Sequence, residues 1–133
     1  MNESMLERIR KTFADDVFAI EVTGIEIVDV AKNYAKCELS ITGRHRNARG
    51  AVMGGVIFTL ADFCFAVAAN TETLSVVSVS SNIVFVNAVR GQKLIAEAHC
   101  MKEGHRNSFF RIDITDDLGT AVAEVTEVGS KIS

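Results

Sequence analysis

Proline is missing from all 133 residues, and so is any repeat or low-complexity stretch, so nothing in the sequence reads as a linker between domains. The length suits one domain spanning 1–133, enough to bury a real core. Positive charge is not in excess: 14 Lys and Arg against 17 Asp and Glu leave a net charge of −3, which gives no footprint for nucleic acid as a partner. Paired cysteine motifs are missing too. Cys37, Cys64 and Cys100 are odd in number, contain no CxxC and sit in apolar contexts, so they read as reduced core residues of a cytoplasmic protein. His45, His99 and His105 are dispersed, with no carboxylate at ligand spacing, and no metal site is predicted. The charged opening MNESMLERIRK has no apolar h-region and does not read as a signal peptide. Walker A, GxGxxG and GxSxG motifs are all lacking.

What the chain does have is the stretch Asn47 to Asn70, NARGAVMGGVIFTLADFCFAVAAN. A polar loop runs into Gly54–Gly55, and an Ala- and Leu-rich apolar run follows, too long for a strand; a helix is predicted from near Gly54. It is apolar around most of its circumference and should be buried on most sides. It is too short to span a membrane, and Asp62 near its middle argues against one.

Two features of this helix carry chemistry. A carboxylate on an apolar helix is costly unless paired or used, so Asp62 is either a structural cap or ion-pair partner, or a general base. At the helix start, Gly54 and Gly55 leave backbone N–H groups unscreened at the positive end of the dipole, where they could hold a developing oxyanion. The alternative is a pair of glycines that merely permits a tight turn. The preceding loop, Gly43 to Gly50, holds three arginines, His45 and Asn47. It is either a solvated loop or a surface that meets an anionic cofactor, and Asn47 can hold the loop or orient a carbonyl or water.

The remaining chain reads as follows. Ser4 to Phe13 is an amphipathic helix, with Ser4 and Glu7 as a capping box. Val17 to Val30 is strand-like, with a bulge or bend at Gly24. Tyr34 to Thr42 alternates cleanly. Leu74 to Val89 is a long strand, with Val77, Val79, Ile83 and Phe85 on one face and Ser78, Ser80 and Asn82 on the other. Strands follow over Lys93–Met101, Ser108–Thr115 and Thr120–Val128, with turns at Arg90–Gln92, Lys102–Asn107 and Asp116–Gly119. Helix, two strands, long helix and four strands predict an α+β fold, an antiparallel sheet curled round the central helix.

Asn47, then Gly54–Gly55, then Leu60-Ala61-Asp62 resembles the signature of the hotdog-fold acyl-CoA thioesterases, nearest to the phenylacetate-pathway (PaaI-like) branch. That family shows His-Gly-Gly where this chain has Met53-Gly54-Gly55. The resemblance implies hydrolysis of an aryl or medium-chain acyl-CoA, with Asp62 as general base or nucleophile, the Gly54 amide on the thioester carbonyl, and Asn47 and Ser78 positioning the reacting groups. It also implies that Arg90, Lys93, His105 and Arg106 meet the phosphates of coenzyme A. Coenzyme A enters as part of the substrate, and no separate cofactor is called for. The runner-up is a non-catalytic acyl-CoA-binding protein on the same fold. A hydratase is a third reading, although such enzymes carry a helix His that this chain lacks.

The spacing has one further consequence. Gly54 and Asp62 are about 12 Å apart along a helix axis at 1.5 Å per residue. A reacting carbonyl must lie about 3 Å from both its donor and its attacking group. One helix cannot supply both, so a homodimer is the minimum assembly, with a homotetramer, a dimer of dimers, expected.

Overall fold

A computed structural model describes residues 3–132. The order of elements is α1 (Met5–Phe13), a π-helical turn (Phe18–Thr23), β1 (Ile25–Ala31), β2 (Tyr34–Ser40), a 3-10 turn (Gly43–His45), α2 (Gly54–Ala69), β3 (Val76–Phe85), β4 (Lys93–Glu103), β5 (Asn107–Asp116) and β6 (Ala121–Lys131). The six strands form one sheet in the order β1-β2-β4-β5-β6-β3, antiparallel throughout. α2 touches every strand of that sheet, which is the central helix and curled sheet that the sequence predicts.

Alternation places the core. On β2, Ala35, Cys37 and Leu39 point inward, and on β4 Leu94, Ala96 and Ala98 do the same; all are buried against α2 residues such as Leu60, Cys64 and Val67. The Cys64 thiol donates to the Ala35 carbonyl, and Cys37, Cys64 and Cys100 are all free. α1 keeps half of the predicted capping box: Ser4 Oγ accepts from the Glu7 amide, but among the described residues no Glu7 side-chain bond returns to the Ser4 amide; the helix buries Ile9 and Phe13. The far end of α2 is closed by Asn70, whose side-chain amide donates to the Ala66 and Val76 carbonyls and accepts from the Ser75 and Val76 amides. This one residue fixes where β3 leaves the helix.

Two expectations are corrected. The strand predicted over Val17–Val30 begins only at Ile25, because Phe18–Thr23 is helical. Its β-branched residues favour a strand, yet burial follows a four-residue period: Ala19 and Thr23 are buried while Phe18 and Val22 are exposed. Gly24 ends the turn at φ 90°, a left-handed conformation suited to glycine.

The second correction concerns β3. Its pairing with β6 slips between Ser78 and Ser80, so Val79 is an extra residue in the ladder. The slip inverts the alternation. Ser78 therefore shares a face with Ser81, to which its hydroxyl is bonded at 3.2 Å, rather than with Ser80 and Asn82. That face continues to Phe85, which packs on α2.

Candidate active site

The first half of the site is the start of α2. Met53, with φ −66° and ψ 135°, precedes the helix and supplies no side-chain cap. The Val56 and Ile57 amides fold back onto the Met53 carbonyl. Among the described residues the Gly54 and Gly55 amides have no acceptor. Gly54 borders a cleft of about 460 Å³ that is also lined by Arg46, Ile57, Phe85 and Val89. The Phe85 ring lies against Gly54, so the absence of a side chain there keeps the amide approachable.

The loop before α2 is built by short polar side chains. Asn47 Oδ1 accepts from the Arg49 and Ala51 amides at 2.9 and 3.2 Å, while the Asn47 backbone bonds Ala51 and Gly50. Its side chain thus holds the loop that presents Gly54. His45 is buried: its Nε2–H donates to the Thr23 carbonyl, and its Nδ1 accepts from the Thr42 amide. Its own carbonyl takes the Met53 amide. Two of the loop arginines are turned to carbonyls, Arg44 to Val22 and Arg46 to Gly50.

The second half is Asp62, two turns further along α2 and half-buried. It opens onto a separate cleft of about 330 Å³ shared with Asp16, Val17, Phe18, Thr59 and Phe63. Gly54 does not line this cleft and Asp62 does not line the first. The chain therefore keeps the unpartnered amides and the carboxylate apart, as the helical spacing requires.

Behind Asp62 stands Glu127 of β6, which the sequence reading did not single out. It is 1% exposed. Its Oε2 accepts from Ser78 Oγ at 3.2 Å, and its carboxyl lies within hydrogen-bonding reach of Asp62. Burial first, and the Asp62 carboxylate second, push the Glu127 carboxyl up to about 8, against the opposing pull of the Ser81 and Ser78 hydroxyls. The signal was present in the sequence: Val125, Glu127 and Gly129 alternate on the inward face of β6, so a carboxylate falls in a row of core positions. Ser78 reaches Glu127 only because of the bulge at Val79.

The predicted phosphate contacts separate into two groups. Arg90 and Lys93 lie at the start of β4, beside Val89 and the cleft at the α2 start, and Lys93 is paired with Glu38 at 3.2 Å. His105 and Arg106 lie at the other end of the 11-residue β4, about 35 Å away at strand rise, with Lys131 and Ile132. A buried Asp116 fixes the first group. Its Oδ2 accepts from the Arg90 and Gly91 amides, and its Oδ1 from the Leu118 and Thr120 amides. Burial acts to raise this carboxyl, but those amides hold it well below the usual carboxylate range.

Among the described residues, no group of His, Cys, Asp and Glu is placed to hold a metal ion, and no helix is long and apolar enough to cross a membrane.

Comparison with known proteins agrees with this architecture. The acyl-coenzyme A thioesterase PaaI of Escherichia coli is 26% identical over 92% of this chain and 88% of its own. Human acyl-coenzyme A thioesterase 13 is 28% identical over 87% of this chain and 85% of its own. The solved E. coli PaaI structure superposes with a TM-score of 0.84 over 96% of both chains at 23% identity. A hypothetical thioesterase protein of Streptococcus pneumoniae, solved with coenzyme A, superposes with a TM-score of 0.81 at 21% identity, over 93% of this chain and 97% of that one. The fold is the hotdog, an α+β sheet wrapped on a central helix. The thioesterase superfamily model itself matches residues 49–123, which takes in the α2 start, Asp62, Ser78 and most of the sheet. With more than half its length inside that match, the chain belongs to the thioesterase superfamily.

Proposed function

We propose that the protein hydrolyses the thioester of an acyl-CoA, with an aryl or medium-chain acyl group. The observation that carries this reading is that α2 presents two chemically distinct sites: Gly54 and Gly55 amides with no acceptor among the described residues at its start, and a carboxylate opening to a cleft two turns on. In this reading the Gly54 N–H donates to the carbonyl oxygen as negative charge grows on it. Asp62 takes the proton of an attacking water. The carbon–sulfur bond breaks, and the thiolate leaves and is protonated, giving the acid and free coenzyme A. Asn47 acts through the loop that aims Gly54. Ser78 acts at the carboxyl pair.

The separation of the two halves supports a site shared between subunits. β3 is an edge strand with exposed Val77, Val79, Val84 and Phe85, an apolar edge that a second copy would cover. A homodimer through β3 is the minimum assembly, and a tetramer of two such dimers is the fuller one. Arg46 lines the cleft at the α2 start and Arg90 and Lys93 follow Val89 at its edge, so these cations would meet the coenzyme A phosphates. His105 and Arg106 fit a substrate bound at the opposite end of the sheet from their own Gly54. The solved relative that holds coenzyme A supports the ligand class. The free thiols suit the reducing cytoplasm, and the reading needs no cofactor beyond the substrate.

The test is thiol release from a panel of acyl-CoA substrates. Asp62→Asn should keep the fold and lose roughly 10²–10⁴ in rate, the range for a general base. Near-normal turnover by the folded variant would remove Asp62 from the chemistry. Binding of acyl-CoA without turnover by the wild type would instead favour a non-catalytic binder, a reading that Met53 at the usual His position gives some standing.

A further inference from the structure

Glu127 Oε1 is a buried oxygen with no hydrogen-bond partner among the described residues, while Oε2 is occupied by Ser78. A buried carboxylate oxygen without a donor is costly. The neighbour is Asp62, which as an anion has nothing to donate. Two carboxyl groups in hydrogen-bonding reach cannot both be ionised at ordinary cost, and one proton between them answers both problems. Surroundings decide where it resides. Asp62 opens to the cleft, whereas Glu127 is enclosed between β3 and β5, in register with Ser81 and Phe110.

We propose that Glu127 is a positioning residue: protonated at Oε1, it donates to the Asp62 carboxylate and so aims it at the attacking water. The inference rests on Asp62 being the base. Ser78 and Ser81 set the orientation of Glu127 from the other side, by placing hydroxyls on β3 where Oε2 must accept. The proton then has one direction in which to point. The groups facing the pair are Asp62 on α2, the hydroxyls of Ser78 and Ser81 on β3, and Asp16 across the cleft, whose own carboxyl is raised by burial and then by Asp15. None of them is a cation, so nothing in the surroundings favours two negative charges. When Glu127 ionises, with a midpoint near 8, two carboxylates confront each other and Asp62 loses its donor.

Two measurements on the full chain test this. Infrared spectra of the wild type should show a protonated-carboxyl band at pH 7 that disappears on titration through about pH 8. The band should be absent from Glu127→Gln and should titrate at lower pH in Asp62→Asn, which lacks the like charge. In thiol-release assays, corrected for uncatalysed hydrolysis, wild-type kcat should fall as the pH rises through the same midpoint. Glu127→Gln keeps a permanent N–H for Asp62 and a carbonyl for Ser78. Its kcat at pH 7 should stay within about threefold of wild type, and its high-pH loss should vanish. A residue that only fills space would not move that limb. Absence of the band in the wild type at pH 7, or a Glu127→Gln profile that still falls near pH 8, overturns the proposal. Absence of turnover at every pH would instead sink the hydrolytic reading, while the band still decided where the proton sits.

Discussion

A Cβ added to Gly54 would stand 3.1 Å from the tip of the Phe85 ring. The contact is to the far end of a side chain on edge strand β3, so the ring can yield, but only by changing the cleft at the Gly54 amide. Gly54→Ala is therefore expected to leave the melting temperature within a few degrees and to lower kcat by roughly 10- to 100-fold, the effect of an ångström-scale misplacement. Shortening the ring in Gly54→Ala/Phe85→Leu should recover part of the loss. Kinetics and thermal melts on the single and double variants check this. An equal loss in both would mean that the ring is not the cause.

The separation of Gly54 from Asp62 predicts complementation. Asp62→Ala and Asn47→Ala should each be inactive alone. After subunit exchange, each mixed dimer carries one intact site and one doubly damaged site. Random exchange should restore about a quarter of wild-type turnover. Mass spectrometry establishes exchange and thiol release reports activity. Confirmed exchange without recovery, or a fully active monomer in sedimentation, counts against a shared site.

Asp116 predicts an acid limit to stability. Its carboxyl is lower in the folded chain than its ordinary value of 3.8, so its contribution is present above about pH 4 and is lost as the pH falls through the folded value. Asp116→Asn keeps the shape but removes the charge from four backbone amides. The variant should melt well below wild type at pH 7, and the gap should narrow as the pH drops below 4. A gap independent of pH would assign the loss to shape rather than charge. Because Asp116 holds the Arg90–Gly91 turn, the KM for acyl-CoA should rise in parallel.

The central helix was legible because its apolar run is long, begins at a glycine pair and contains a single carboxylate. The strands were legible wherever one face is buried, as in Ala35, Cys37 and Leu39. Phe18–Thr23 was not, because its residue types favour a strand and only burial at Ala19 and Thr23 reveals the helical turn. Of the site, the parts lying on α2 could be read from spacing. The role of Asn47 as a loop organiser depends on which amides the fold delivers to its side chain. Glu127 comes from a strand 65 positions beyond Asp62. Its inward placement shows in the alternation of β6, but its meeting with Asp62 depends on β6 lying between β5 and β3.

The bulge at Val79 means that β3 encodes its inward serines by counting as well as by identity. Deleting Val79 would change no polar residue, yet every side chain on one side of the deletion would trade faces relative to the other. Either Ser78 would turn away from Glu127, or Phe85 would turn away from Gly54. The Ser78–Glu127 and Phe85–Gly54 contacts are thus kept in phase by one valine whose own side chain is exposed. Deleting Val79 is therefore expected to cost more than a Val79→Thr exchange, which keeps the count.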